Sequence, residues 1–152
     1  MVCPLCSTAA GVPHAPSVTS PGATIGGVTT FRMPDPHPVM TALLAVTASR
    51  KGTVELTADT LTVRLGVTWH AEIPRSSIKA ARKDPLKTIS IGAHGWRGDW
   101  LVNTSTKGLV VLTIDPAASA RCLGYPIKLR KLHVSLADPD AFLVALTSPT
   151  PA

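Results

Sequence analysis

A chain of 152 residues that is 45% hydrophobic and 16% charged has material for one core and is too apolar for wholesale disorder. Its net charge of +6 favours acidic partners in general, whether nucleic acid, anionic lipid or acidic protein, without choosing among them. No apolar run approaches the ~20 residues that span a bilayer, and the first residues lack the Lys/Arg start and apolar stretch of a secretory signal. The expectation is a cytoplasmic protein, or one peripheral to the membrane.

Residues 1–39 hold seven of the fourteen prolines, with many Gly, Ser, Thr and Ala and one Arg and one Asp. No period of 2 or 3.6 shows, and Pro34, Pro36 and Pro38 hold their stretch extended. The expectation is a disordered, Pro-rich tail that buries too little to offset its ordering entropy. Translation from Met33 or Met40 would leave most or all of it out.

A folded domain is expected over 40–148, with a disordered end at 149–152. Val39–Ala48, the longest apolar run, reads as a core segment. Val54–Ala58 and Leu61–Leu65 alternate apolar with polar across a turn at Asp59–Thr60. After Gly66, Trp69, Ala71 and Ile73 alternate with His70 and Glu72 until Pro74. Period 2 with one apolar face marks half-buried antiparallel strands. Ile78–Lys83 and Thr88–Ile91 read as further strands, with a glycine-punctuated turn over Gly92–Gly98. Trp100–Asn103 and Leu109–Ile114 flank Thr104–Gly108 as a hairpin would. Lys131–Leu136 alternates again. Asp138 as N-cap, Pro139 at the first position and Asp140 in the first turn then start a helix, with Phe142, Leu143 and Leu146 on its apolar stripe. The fold class is mostly β with one C-terminal α-helix, as a strongly bent antiparallel sheet or partly open barrel capped by that helix.

The run Leu61-Thr62-Val63-Arg64-Leu65-Gly66, then Glu72-Ile73-Pro74-Arg75-Ser76-Ser77-Ile78, resembles the opening of a bacterial pleckstrin-homology-like domain. The closing Leu132–Leu146 fits that layout. The chain, including Gly95-Trp96-Arg97-Gly98-Asp99-Trp100, is similar to small uncharacterised actinobacterial proteins of this kind. The resemblance spans roughly Thr53 to Leu146. It describes a β scaffold and not a site, so it implies a binding or scaffolding module and transfers no functional residue.

Chemistry-bearing motifs are sparse. Cys3-Pro4-Leu5-Cys6 has metal-ligand spacing, but no second C-x-x-C exists, and His14 and His37 complete a set only by ordering the tail. There is no nucleophile elbow or phosphate loop. Cys122 with His133 is the one conceivable nucleophile–base pair, and an isolated cysteine in a β domain is more often a small buried hydrophobe. The two glutamates, Glu55 and Glu72, stand on solvent faces. No catalytic, cofactor or metal residue is assigned.

Basic residues cluster at Lys79, Arg82, Lys83, Lys87 and at Arg121, Lys128, Arg130, Lys131. Of these, Lys79, Lys83, Arg130 and Lys131, together with His94, Trp96, Arg97, Asp99 and Trp100, are the expected partner-binding residues. The plainer reading is a solvated basic face beside a hairpin turn whose tryptophans cap the core and whose Arg97 and Asp99 pair. The functional expectation is a non-catalytic module for an acidic protein or an anionic membrane surface. A small-molecule carrier or enzyme using the cavity of the bent sheet is the alternative. Nucleic acid ranks third, because aromatics for base stacking are few.

Overall fold

The alternation between Gly52 and Pro74 has a direct outcome. Val54, Leu56, Leu61, Val63, Leu65, Trp69, Ala71 and Ile73 are almost wholly buried, and the strand residues that alternate with them face outward. The computed structural model describes residues 23–35, 52–86 and 88–148. The expected core segment Val39–Ala48, Cys3 and Cys6, His14, His37, Lys87 and residues 149–152 lie outside the described residues.

The elements are β1 (Ala23–Ile25), β2 (Val28–Arg32), β3 (Gly52–Leu56), β4 (Thr60–Leu65), β5 (Trp69–Pro74), a 3-10 turn (Arg75–Ser77), β6 (Ile78–Lys83), β7 (Gly92–Trp96), β8 (Asp99–Asn103), β9 (Leu109–Cys122), β10 (Tyr125–Ser135) and the helix α1 (Pro139–Thr147). The strands form one open, bent sheet in the order β1-β2-β3-β4-β5-β9-β10-β8-β7, with β6 paired to β9 off that path. β9 holds the sheet together. Its C-terminal half pairs with β5, from Trp69 opposite Cys122 to Glu72 opposite Ser119. Its N-terminal half pairs with β6 from Ile78 to Lys83, and β10 runs along both halves. β9 and β10 lose register between Thr113 and Ala118, a stretch that contains Pro116, which has no N–H to donate.

The expected bent sheet with a capping helix is present, and four expectations need correction. The sheet is mixed, because β8 and β10 pair in parallel. Trp100–Asn103 and Leu109–Ile114 do not form a hairpin. β8 lies between β7 and β10 instead, and β9 lies beyond β10. Thr88–Ile91 is not a strand, whereas Gly92–Trp96, expected as a turn, is one. Its second glycine has a packing reason, since a Cβ on Gly95 would collide with the Asp99 carbonyl and with the Cα of Trp100.

The fourth correction concerns the expected tail. Residues 23–35 belong to the domain, so its boundary lies before 40. β1 and β2 form a hairpin across Gly26 and Gly27, both at positive φ. β2 pairs with β3 from Thr29 opposite Leu56 to Arg32 opposite Thr53. Phe31 and Met33 are core residues, and Met33 lies where a side chain on Gly52 would go. Beyond the strand, Ala137 N–H donates to the Arg32 carbonyl at 3.0 Å and Thr104 Oγ1 to the Pro34 carbonyl at 2.5 Å.

The helix follows its sequence signals. Asp138 accepts from Ala141 N–H at 2.9 Å, Pro139 opens the first turn, and Phe142 is fully buried. Phe142 meets Phe31 edge to face, with ring centroids 5.3 Å apart. At the far end, the Arg75 guanidinium donates to the carbonyls of Leu146 at 2.7 Å and Ser148 at 3.1 Å, and to Thr57 at 3.3 Å. One arginine thus satisfies helix-terminal carbonyls and ties them to the β3–β4 turn. Among the described residues, no helix is long and apolar enough to cross a membrane.

Candidate functional site

The side of the sheet away from the core carries the polar residues, and register decides which of them meet. One row runs Arg32, Thr53, Arg64, His70, Arg121 and Pro126 across β2, β3, β4, β5, β9 and β10. The next row runs Thr30, Glu55, Thr62, Glu72, Ser119 and Lys128 across the same strands. Arg64 and Arg121 are exposed and flank His70 from the two adjacent strands, so their backbones lie about 10 Å apart. His70 Nε2 contacts Glu72 at 3.1 Å. His70, Glu72, Ser119, Arg121 and Pro126 line an open groove of about 640 Å³. Its mixture of guanidinium, imidazole, hydroxyl and one carboxylate suits an anionic group held at the surface.

Farther along the same face, Arg82, Val111, His133, Leu101 and His94 form a row, with Lys131 opposite both Thr113 and Asp99. His133 is only 17% exposed there because the β6–β7 connector passes over it. Asp84, 8% exposed at the start of that connector, hydrogen-bonds His133 Nδ1, and His133 Nε2 lies 3.1 Å from Asp99. The other Asp84 oxygen accepts from Leu86 N–H at 3.0 Å. At the connector's far end, Asn103 donates to the Ser90 carbonyl at 2.9 Å and accepts from Gly92 N–H at 3.2 Å. His133 is therefore a clamp that carries the chain from β6 to the opposite edge.

The expected binding residues separate. Lys79 reaches back to the Ser76 carbonyl at 3.2 Å and lines a small groove with Arg75 and Leu146. Lys83 turns toward the helix and pairs with Asp140 at 2.7 Å, both exposed, a contact worth little in water. Arg130 sits where β10 is irregular, against Gly98, and Lys131 pairs with Asp99 at 3.4 Å. Asp99 thus pairs with Lys131 and His133, whereas the plainer reading paired it with Arg97. Trp100 is half-buried, its ring 5.0 Å from that of Trp69, while Trp96 stands 76% exposed and His94 is exposed. Arg97 and Gly98 form the β7–β8 turn at φ 52° and 93°. So one tryptophan caps the core and the other does not.

Cys122 and His133 are not partners. Cys122 lies opposite Trp69 and Tyr125, His133 lies opposite Val111, and eight residues of β10 separate those two positions by about 25 Å. Burial pushes the Cys122 thiol up from its ordinary range. Among the described residues, no group of three or more His, Cys, Asp or Glu could hold a metal ion.

Of the basic clusters, Arg82, Arg121, Lys128 and Lys131 come to the outward face, and Arg32 and Arg64 join them there. Sequence reading passed over Arg32 and Arg64, although strand alternation alone places Arg64 on the solvent side. Comparison with protein-family models, curated proteins and solved structures finds no match to this chain.

Proposed function

We propose that the chain is a non-catalytic binding module of pleckstrin-homology-like type that takes an acidic protein or an anionic membrane surface on the outward face of its sheet. One observation carries this reading. The register sets Arg32, Arg64 and Arg121 in a single cross-strand row with His70, and no carboxylate belongs to that row. Arginines on alternate strands with no carboxylate between them in the row give this part of the face one sign of charge, an attraction for an acidic surface that weakens as salt rises. A small-molecule carrier or an enzyme working inside the sheet would need space there, and Trp69, Leu112, Leu132 and Phe142 occupy it.

The test is binding of the full chain to polyglutamate and to phosphatidylserine-containing vesicles at low and high salt, with Arg64→Glu/Arg121→Glu as the variant. Each cation near an anionic surface contributes about 1 kcal/mol. Reversing two should therefore weaken binding by at least about thirtyfold. Binding that ignores both salt and the reversals, or binding to neither probe, would overturn the reading. Reversal of Lys83, already paired with Asp140, should have little effect.

A further inference from the structure

We propose that the tips of the β4–β5 and β9–β10 hairpins insert into an anionic lipid bilayer while Arg64 and Arg121 engage its headgroups. This rests on the acidic-partner reading and commits it to a lipid surface. Val67 in the first tip is 78% exposed, and Leu123 and Tyr125 at the second are 68% and 76% exposed. The tips are neighbours, since Leu123 N–H donates to the Thr68 carbonyl at 2.8 Å. Three large apolar or aromatic side chains therefore crowd one end of the sheet without adding to its core.

Leu123 is an uneconomical choice for its own turn. It stands at φ 50° and is followed by Gly124 at φ 83°. A two-residue hairpin turn with both angles positive favours Asn-Gly or Asp-Gly, and a leucine there bears a backbone cost. Its side chain, two-thirds exposed, recovers little of that cost within the fold. Outside the fold the same side chain is suited to an apolar phase.

The charges behind the tips complete the match. Arg64, His70 and Arg121 form the outward row nearest the two turns. The first carboxylates, Glu55 and Glu72, stand one outward row later, their backbones about 7 Å farther back, and the Glu72 carboxylate reaches forward to His70. Apolar points ahead of an arginine rim suit acyl chains below and phosphates above, and arginine binds phosphate through two parallel hydrogen bonds. Tyr125 has the amphipathic ring favoured at the bilayer interface. A protein partner would need pockets cut to fit two protruding tips. A fluid bilayer needs none.

The experiment is co-sedimentation of the full chain with phosphatidylcholine vesicles of rising phosphatidylserine content, beside titration with soluble polyglutamate. The variants are Val67→Ser, Leu123→Asn, Tyr125→Ser, their triple combination, and Arg64→Glu/Arg121→Glu. Each apolar replacement should weaken vesicle binding about tenfold, and the triple more than a hundredfold, with polyglutamate binding unchanged. Leu123→Asn suits the turn better than leucine does, so its loss of vesicle binding must coincide with an intact thermal transition. Vesicle binding that depends on the arginines but not on the tips would overturn insertion and leave the acidic-partner reading standing. Binding to polyglutamate but not to vesicles would do the same. Binding to neither probe would overturn both.

Discussion

A chain that begins at Met40 should fail to fold stably, and the structure says by how much. It lacks β1 and β2, and with them Phe31 and Met33, which are 4% and 6% exposed in the full chain. Emptying a buried phenylalanine site costs about 3–5 kcal/mol and a buried methionine site about 2–5 kcal/mol. The sum, about 5–10 kcal/mol, rivals the whole stability of a typical domain, about 5–15 kcal/mol. β3 would in addition lose its partner on one side and expose its backbone groups as a sheet edge. The assay is urea unfolding followed by tryptophan fluorescence, on the full chain, on chains lacking residues 1–22 or 1–39, and on Phe31→Ala. The 1–22 deletion separates the strands from what precedes them. Phe31→Ala alone should lower stability by about 3–5 kcal/mol. Combined with Phe142→Ala it should show a coupling of about 0.5–1.5 kcal/mol from the edge-to-face contact. An unchanged midpoint on removal of 1–39 would refute the assignment of these residues to the core.

Three further outcomes are expected. Arg75→Ala should cost about 1–3 kcal/mol through the carbonyls it leaves unsatisfied at the end of α1, and Arg75→Lys should not restore it, because an ammonium cannot span the same set; full rescue by lysine in thermal unfolding would contradict the bridging role. Leu123→Asn should raise stability by about 1 kcal/mol, since it relieves the positive φ; a lowered melting temperature would show that Leu123 packs usefully in the folded chain. In a Cys3→Ser/Cys6→Ser background, Cys122 should react with iodoacetamide more slowly at about pH 8 than in the urea-unfolded chain. The sign is that of a raised folded-state pKa, so the associated stability is intact below the unfolded value and is lost as pH climbs through the folded one; equal rates would disprove the burial effect.

What could be read from the sequence was whatever depends on near neighbours in the chain. Gly52–Pro74 alternates cleanly because one face is wet and the other dry, and Asp138-Pro139-Asp140 marks a helix start by its own chemistry. β2 was hidden among prolines and glycines, although Val28-Thr29-Thr30-Phe31 is a β-favouring run after a Gly-Gly turn. β7 was hidden by Gly95, which is glycine because the Asp99–Trp100 backbone passes close to it and not for a turn. The candidate site was less legible still. Arg64, His70 and Arg121 become neighbours only when β9 docks on β5, and no local pattern encodes that register. Asp84 and His133 likewise meet only because the connector crosses the sheet.

The central position of β9 and β10 sets the order in which the molecule can be assembled during synthesis. Consecutive strands from β2 to β5 can zip together as they leave the ribosome, each finding the one before it. Among the described strands, β6 pairs only with β9 and waits until the chain has reached Ile114, while the β7–β8 ribbon finds its other neighbour in β10 and waits until the chain has reached Val134. For that interval the nascent protein presents unpaired strand edges and the exposed Trp69 face of β5, surfaces on which another chain could align. Cells making this protein should therefore meet their aggregation hazard during translation, before the last two strands arrive, and premature termination between β8 and β9 should yield the least soluble fragments.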